Sequence, residues 1–381
     1  MTKRRVAFVL TQDRGGPVDL TVALARWLAD NSNTDVRVFS PPPARDLDLI
    51  SDLLHTIEVP RKTSIGAMRT VRRAVLDFAP DVVHAQDRRS GLLCLGMGRR
   101  PTTDRSRAGH ASPTLVHTYH GMPEDVTQSW LLDTSAAPPS LYTRATLLAD
   151  ARVARNLDAT VVPSSSIGGF LVERLGVPRE RVHHIDNGLV LPAASPPRNV
   201  RALVFVGMLI ERKGVEDLIT AIDLAHSELP GLHLDIVGDG PLRSTLTAQA
   251  LRAGLQDAVT FHGFRQDVPR ILATADVFVL PSRMEQQPLA LIEAMASGKL
   301  ILATDVGGVL DMLRPAGAGA IVVPARSPQL LADGLKKLAK LDDPTSLGMS
   351  IATMARTRFS VEASARHHLA LYDRLRESRS A

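Results

Sequence analysis

The chain has 381 residues, 44% hydrophobic and 22% charged, with a formal net charge of +5, which is long enough for two domains and ordinary for a globular protein. Aromatic residues make up only 4%, which argues against base stacking on an aromatic platform and so against nucleic acid; the single cysteine, Cys94, excludes an intrachain disulfide and gives no zinc site. No apolar run approaches the roughly 18 residues of a membrane span, and the apolar stretch after Met1-Thr-Lys-Arg-Arg is too short for a signal-peptide core, so the expected setting is reducing and cytoplasmic.

Apolar runs of strand length alternate with helical stretches throughout, the pattern of a doubly wound α/β fold. In the first half, strands are predicted at Arg5–Thr11, Asp35–Phe39, Val82–Ala85, Thr114–Tyr119 and Ala159–Pro163. After the first of them, Gly15 and Gly16 can let backbone approach a ligand, and Pro17 can open a helix whose first N–H groups would face a phosphate. A plain tight turn is the other reading, and the lack of a Gly-x-Gly-x-x-Gly pattern speaks against a dinucleotide. Over residues 61–78 a helix would put Met68, Val71, Val75 and Phe78 on one face and Arg69, Arg72 and Arg73 on the opposite one. Such a helix is either core-packed with a solvated cationic face or a dock for an anionic membrane. Residues 99–113 are polar and rich in breakers, and read as a mobile loop. His120 follows the strand at Thr114–Tyr119, at the end where ligands of such sheets bind. His183-His184 and His367-His368 lack metal-ligand company.

Leu191-Pro-Ala-Ala-Ser-Pro-Pro-Arg-Asn199 carries three prolines and reads as a linker. A second series of strands follows at Arg201–Val206, His233–Val237, Val259–His262, Val277–Leu280, Leu300–Ala303 and Gly319–Val323, with a last helix at about 360–378. The first strand of this series ends at Gly207; Arg212 and Lys213 sit together just beyond it, and Gly214 opens a helix. Gly238-Asp239-Gly240-Pro241 follows the second strand, and Gly263 the third. Residues 281–308 read Pro-Ser-Arg-Met-Glu285-Gln-Gln-Pro288-Leu-Ala-Leu-Ile-Glu293-Ala-Met-Ala-Ser-Gly298, then a strand and Gly307-Gly308. Pro288 suits the first position of a helix and Gly298 the position just past its end. Glu293 is the one charge in an apolar helix, where a buried carboxylate needs a partner. Glu285 falls at the helix mouth, where backbone N–H groups and the positive dipole end point outward.

This last stretch resembles the signature of the retaining nucleotide-sugar glycosyltransferases of the group 1 family: two glutamates with seven residues between, then Ala-Met-Ala-x-Gly and a later Gly-Gly. One departure is Gln286-Gln287-Pro288, where many members have Gly-Phe-Gly or Gly-Phe-Pro. Gly207 to Gly214 resembles the family's Gly-x-Leu-x-x-x-Lys-Gly phosphate segment, with Arg212 and Lys213 as its basic pair. The resemblance implies a GT-B fold, two Rossmann-like domains facing across a cleft: 1–190 on the acceptor side, a linker at 191–199, a nucleotide-sugar domain at 200–358, and a C-terminal helix at 359–381 crossing back to the first domain. It implies retaining transfer of a hexose from a UDP- or GDP-sugar to a hydroxyl acceptor, with no cofactor and no metal required. In the implied site Glu285 holds sugar hydroxyls, Arg212 and Lys213 neutralise the diphosphate, Glu293 holds the ribose, and His120 faces the donor sugar. Gly15, Gly16, Gly207, Gly238, Gly240 and Gly263 would lie along the donor. The acceptor, lipid-linked or a glycan, would be met in the cytoplasm or at the inner face of the plasma membrane. Two alternatives remain open: an inactive nucleotide-sugar-binding subunit and a GT-B epimerase.

Overall fold

The computed structural model describes residues 3–58, 65–97, 112–123, 126, 130 and 138–380. The chain forms two units: Met1–Gly188 with Val361–Ala381, and Leu189–Ser360.

Among the described residues, the first unit holds a seven-stranded sheet: β1 (Arg4–Val9), β2 (Thr34–Ser40), β3 (Leu54–Thr56), β4 (Val82–Ala85), β5 (Thr114–Thr118), β6 (Ala159–Val162) and β7 (Val182–His184). The spatial order is β3-β2-β1-β4-β5-β6-β7, all parallel. Its helices are α1 (Gly16–Asn31), α2 (Leu47–Ile50), α3 (Ile65–Asp77), α4 (Arg88–Cys94), α5 (Leu141–Asn156) and α6 (Ser165–Glu173), joined by the C-terminal helix (Val361–Ser380). The central strands are buried on both faces because helices cover both; every residue of β4, β5 and β6 is buried, the polar His84, Thr114, His117, Thr118 and Thr160 included. The two strands that the sequence did not announce, β3 (Leu-His-Thr) and β7 (Val-His-His), are three residues long and half exposed at the sheet edges. An edge strand needs no apolar run, so it leaves no such signal. The C-terminal helix contributes Ala365, Leu371 and Tyr372 to the core formed by Val6, Phe8, Val22 and Val82.

The second unit repeats the plan with six strands: β8 (Ala202–Val206), β9 (His233–Val237), β10 (Val259–Gly263), β11 (Val277–Leu280), β12 (Leu300–Thr304) and β13 (Ala320–Val323), in the order β10-β9-β8-β11-β12-β13. Its helices are α7 (Val215–His226), α8 (Arg243–Arg252), α9 (Val268–Thr274), α10 (Leu289–Ala296), α11 (Val309–Leu313), α12 (Pro328–Leu338) and α13 (Pro344–Phe359). In both sheets the strand order reverses once, between β1 and β4 and between β8 and β11. Ligands of open parallel sheets bind beyond the carboxyl ends of the strands at such a reversal.

The proline-rich segment 191–199 is strapped onto the second unit. Ser195 N–H donates to the Ser297 carbonyl at 2.9 Å, and the fully buried Lys299 donates to the Ser195 carbonyl and, at 2.9 Å, to that of Ala275. Most of the predicted loop at 99–113 lies outside the described residues. Among those described, no helix is long and apolar enough to cross a membrane.

Candidate active site

In the second unit β8 and β11 are sheet neighbours, so the loops leaving them emerge side by side at the strand reversal. The β8 loop runs from Gly207 to a single 3-10 turn, Glu211–Lys213, and then to Gly214. Gly214 has a φ of +63°, and a Cβ on it would stand 2.2 Å from the Pro281 carbonyl oxygen of the β11 loop. Only glycine permits both the left-handed backbone and that approach. The loops are stitched by Arg283 N–H donating to the Arg212 carbonyl at 2.7 Å.

This stitching brings Lys213 and Glu285 together. Lys213 Nζ lies 2.5 Å from Glu285 Oε1, with the two side chains 14% and 8% exposed. Ser282 Oγ donates to the same carboxylate oxygen at 2.7 Å. The β12 loop closes from the other side: Gly307, at φ +56°, packs so tightly that a Cβ would fall 1.8 Å from the Glu285 carbonyl oxygen. Glu285 is therefore held by three strand-end loops, with its charge matched by an ammonium. Arg212 stands beside this pair, half-buried, and its Nε is buried without a hydrogen-bond partner among the described residues. A buried guanidinium nitrogen left so is an invitation to a polar ligand or ordered water.

The glycines after β8, β9 and β10 have a packing role of their own. A Cβ on Gly238 would meet the Gly207 carbonyl oxygen at 1.9 Å, and one on Gly240 would meet that of Leu209 at 2.6 Å. Gly207 N–H donates to the Val237 carbonyl at 3.0 Å and Gly238 N–H to that of Gly263 at 2.8 Å. Gly240 N–H goes to Asp239 Oδ1 at 2.8 Å. The first two of these donors join neighbouring strand ends, and the third closes its own turn.

Helix α10 starts one residue later than predicted. Pro288 is its N-cap, with extended ψ of 119°, and Gly298 stands just past its end with φ +72°. The helix is not apolar all round. Glu293 is half-buried, on one stripe with the half-buried Gln286, Leu289 and Ala290, while Leu291, Ile292, Ala294 and Met295 face the core. The expected core carboxylate is a half-exposed one, because the i, i+3, i+4, i+7 rows of the helix divide a nearly uniform sequence into unlike faces.

In the first unit, Gly15 is the N-cap of α1, at φ 99°, and it and Gly16 lead the helix with Pro17 in its first turn. The β1 and β4 loops are tied by Asp87, which accepts from Thr11 N–H at 2.5 Å and Thr11 Oγ1 at 2.9 Å while capping α4. Sequence reasoning passed over Asp87, although Asp-x-x-Ser directly after a strand is a capping signal. His120 Nε2 donates to Gln86 Oε1 at 3.0 Å. Both line a small cavity of mixed lining with Thr118, Asn187, Ser364 and His368 and the apolar Leu20, Leu24 and Val161. Burial, reinforced by His117 and His368, pushes the His120 ring down to about 3, so it is neutral at pH 7 and acts as a hydrogen-bonding group, not a cation. His368, set aside on sequence grounds, is a buried member of the same cavity. Among the described residues no group of three His, Cys, Asp or Glu side chains is arranged to hold a metal ion.

Of the segment 61–78, residues 61–64 lie outside the described residues, and the cationic face on α3 is smaller than its sequence suggests. Arg72 donates to the Leu93 and Leu95 carbonyls at 2.7 and 2.8 Å, and Arg73 approaches Asp77 at 3.8 Å. Helical spacing could not show that the end of α4 would need a capping cation there.

Two families match the chain in tandem: Glycosyltransferase Family 4 over residues 14–191 and Glycosyl transferases group 1 over residues 192–353. The alpha-D-kanosaminyltransferase of Streptomyces kanamyceticus is 30% identical over 167 residues, 42% of this chain and 42% of that protein. The glycogen synthase of Mycobacterium tuberculosis is 27% identical over 276 residues, 71% of this chain and 62% of that protein. The chain thus matches less than two thirds of the length of either relative. Among solved structures, Anabaena HepE in complex with UDP and glucose superimposes with a TM-score of 0.73 at 17% identity, covering 97% of this chain and 99% of that one. At that identity the likeness speaks for the fold alone, and the fold is GT-B.

Proposed function

The chain belongs to the group 1 glycosyltransferases, and from that premise we propose that it moves a hexose from a UDP-sugar to a hydroxyl acceptor with retention of configuration at the transferred carbon. The observation that carries this reading is the Lys213–Glu285 pair at the β8–β11 reversal, with Arg212 beside it. Cleaving a sugar from a nucleoside diphosphate puts new negative charge on the leaving phosphate, and fixed cations aimed at it stabilise the transition state. On this reading Lys213 and Arg212 take the diphosphate. Glu285 holds sugar hydroxyls, and Glu293 the ribose. In the first unit, neutral His120 commits its one N–H to Gln86, so its Nδ1 can only accept a hydrogen bond, and the Gly15–Gly16 start of α1 offers N–H groups to a phosphate. The bond from the anomeric carbon to the phosphate oxygen breaks while one to the acceptor oxygen forms on the same face. The acceptor's proton passes to the leaving phosphate. Because the cations are supplied by the protein, turnover should need no divalent metal. UDP is favoured over GDP as the carrier because the similar fold of HepE was crystallised with UDP.

The acceptor is read as a lipid-linked or glycan hydroxyl reached at an anionic membrane surface. What supports such contact is α5, whose outer stripe exposes Leu141 (79%), Tyr142 (71%) and Leu148 (68%) together with Arg144 and Arg152, while its one acid, Asp150, is buried against Arg88. An apolar and cationic stripe without exposed acid suits the interface of an anionic bilayer. The central test is direct. Incubation with UDP-glucose, UDP-galactose or UDP-N-acetylglucosamine and a panel of glycan and lipid-linked acceptors should release UDP only when acceptor is present, and NMR of the product should show the donor's anomeric configuration. Inversion would end the retaining assignment; tight UDP binding without transfer would favour a nucleotide-sugar-binding subunit.

A further inference from the structure

The 211–217 segment that presents Arg212 and Lys213 is a poor anion site when taken alone. It carries three acids, Glu211, Glu216 and Asp217, against two bases. Three carboxylates on the turn that is to receive a diphosphate and the helix start behind it would repel it and compete for both cations. The chain answers chiefly with one residue from the neighbouring strand loop, to which the exposed Arg326 adds only a 4.0 Å approach to Glu211. The Arg283 side chain is 14% exposed and reaches Glu216 Oε1 at 2.7 Å, Asp217 Oδ2 at 3.1 Å and Glu211 Oε1 at 3.4 Å. Its backbone N–H holds the Arg212 carbonyl at 2.7 Å. It stands two residues before Glu285 and one after Ser282, which donates to Glu285.

We propose that Arg283 is a positioning residue for the diphosphate: by neutralising Glu211, Glu216 and Asp217 and pinning the Arg212–Lys213 turn, it leaves those two cations available to the phosphates. This rests on the reading of Arg212 and Lys213 as the diphosphate site. Arg283 itself touches the acids and the turn, and acts on the ligand through them. A planar fork with five donors can serve three carboxylates at once; a lysine keeps the charge but not the geometry.

The test uses the full-length chain, with UDP and UMP as probes in titration calorimetry. Arg283→Met should weaken UDP binding tenfold or more while UMP, which lacks the second phosphate, changes by less than threefold. Arg283→Lys should fall between wild type and Arg283→Met. Adding Glu216→Gln and Asp217→Asn to Arg283→Met should restore most of the UDP affinity, since the acids then no longer need neutralising. Far-UV dichroism and melting temperature establish that each variant folds. Should Arg283→Met fail to fold, Arg283→Lys with and without the two amide substitutions makes the same comparison. Unchanged UDP affinity in Arg283→Met overturns the proposal while leaving the donor site where it is. Equal losses for UDP and UMP, or no restoration by the amides, overturn it as well, since either result marks a general structural role. If the wild-type protein binds neither probe, the donor-site reading itself fails, and with it the ground for the proposal.

Discussion

Glu285 and Lys213 are 72 positions apart and share a 2.5 Å ion pair, so a change in one alters the charge felt by the other. Glu285→Gln should lower transfer by roughly tenfold or more, because contacts that strengthen in the transition state bear on turnover most. UDP should still bind to it, and no more weakly, since a carboxylate beside an anion site opposes the anion. Wild-type turnover in this variant would remove Glu285 from the chemistry. Lys213→Ala and Arg212→Ala should each weaken UDP binding by about 1.5–3 kcal/mol, the worth of a charge-assisted hydrogen bond; calorimetry showing no loss in both would move the diphosphate elsewhere. Lys299 makes a different prediction. It is fully buried just before β12, its amine on backbone and hydroxyl oxygens, and burial, opposed in part by the Asp276 carboxylate, lowers it from 10.5 to about 8. The folded chain therefore holds fewer protons there than the unfolded chain between about pH 8 and 10.5. Unfolding free energy should rise through that window, by on the order of 3 kcal/mol if this group acts alone. Denaturant titrations at pH 7.5 and 10 would read it, and Lys299→Met should flatten the dependence. An equal slope in that variant would assign the effect to other groups.

At the scale of elements, the C-terminal helix is fastened to the first unit by buried polar groups as well as by apolar area. His84 sits between the Tyr372 hydroxyl and Thr118 Oγ1, each 2.7 Å away. His368 Nδ1 lies 2.8 Å from the Ser364 carbonyl, and the His84 and His368 rings are 5.5 Å apart. Burial pushes His84 well below its ordinary value and brings His368 down to about 4; the same holds for His117, at about 4. Each is neutral in the fold and gains a proton more readily on unfolding. The stability they lend is complete above about pH 6.5 and drains as pH falls toward 4. Facing this cluster are the neutral Tyr372 and Thr118, with His120 close by, and Asp186 lines the cavity that His120 and His368 share. Hydrogen-exchange protection in Val361–Ser380, taken relative to the unfolded rate at each pH, should fall between pH 6 and 4 ahead of protection in the strands of the second unit, and a uniform fall would dismiss the cluster as its origin.

At the scale of the whole molecule, the reading turns on what is held by protein charge and what is met at a surface. If Arg212 and Lys213 carry the diphosphate, transfer should survive EDTA within about twofold; loss restored by magnesium would contradict a metal-free donor site. If α5 meets a bilayer, the protein should sediment with anionic vesicles at low salt and be released as salt rises, with each basic residue at the surface worth about 1 kcal/mol. Leu141→Ser with Leu148→Ser, and Arg144→Ser with Arg152→Ser, should each weaken that binding severalfold, whereas Arg72→Ser should not, since that side chain is committed to carbonyls in the first unit. Indifference of the wild type to anionic vesicles would point to a soluble acceptor.

The sequence by itself determined the strand-and-helix alternation, the two series of strands and the motif glycines, because these depend on period and backbone freedom, which are local. Every central strand was legible, since a strand covered on both faces tends to a run of apolar residues; β3 and β7 were not, because edges impose no such demand. Gly214 and Gly298 could be placed from sequence at helix ends, but only the fold shows Gly214 and Gly307 pressed against the Pro281 and Glu285 carbonyls. Glu285, Arg212 and Lys213 were legible as charges near helix starts. Their arrangement was not: that Lys213 pairs with Glu285, that Arg283 answers three acids, that Asp87 binds the β1 loop and that Tyr372 reaches His84 are matters of contact between segments distant in the chain. The tertiary structure decided them because an ion pair or buried hydrogen bond depends on where side chains converge, and convergence follows from strand order and loop packing, which no single stretch of sequence encodes.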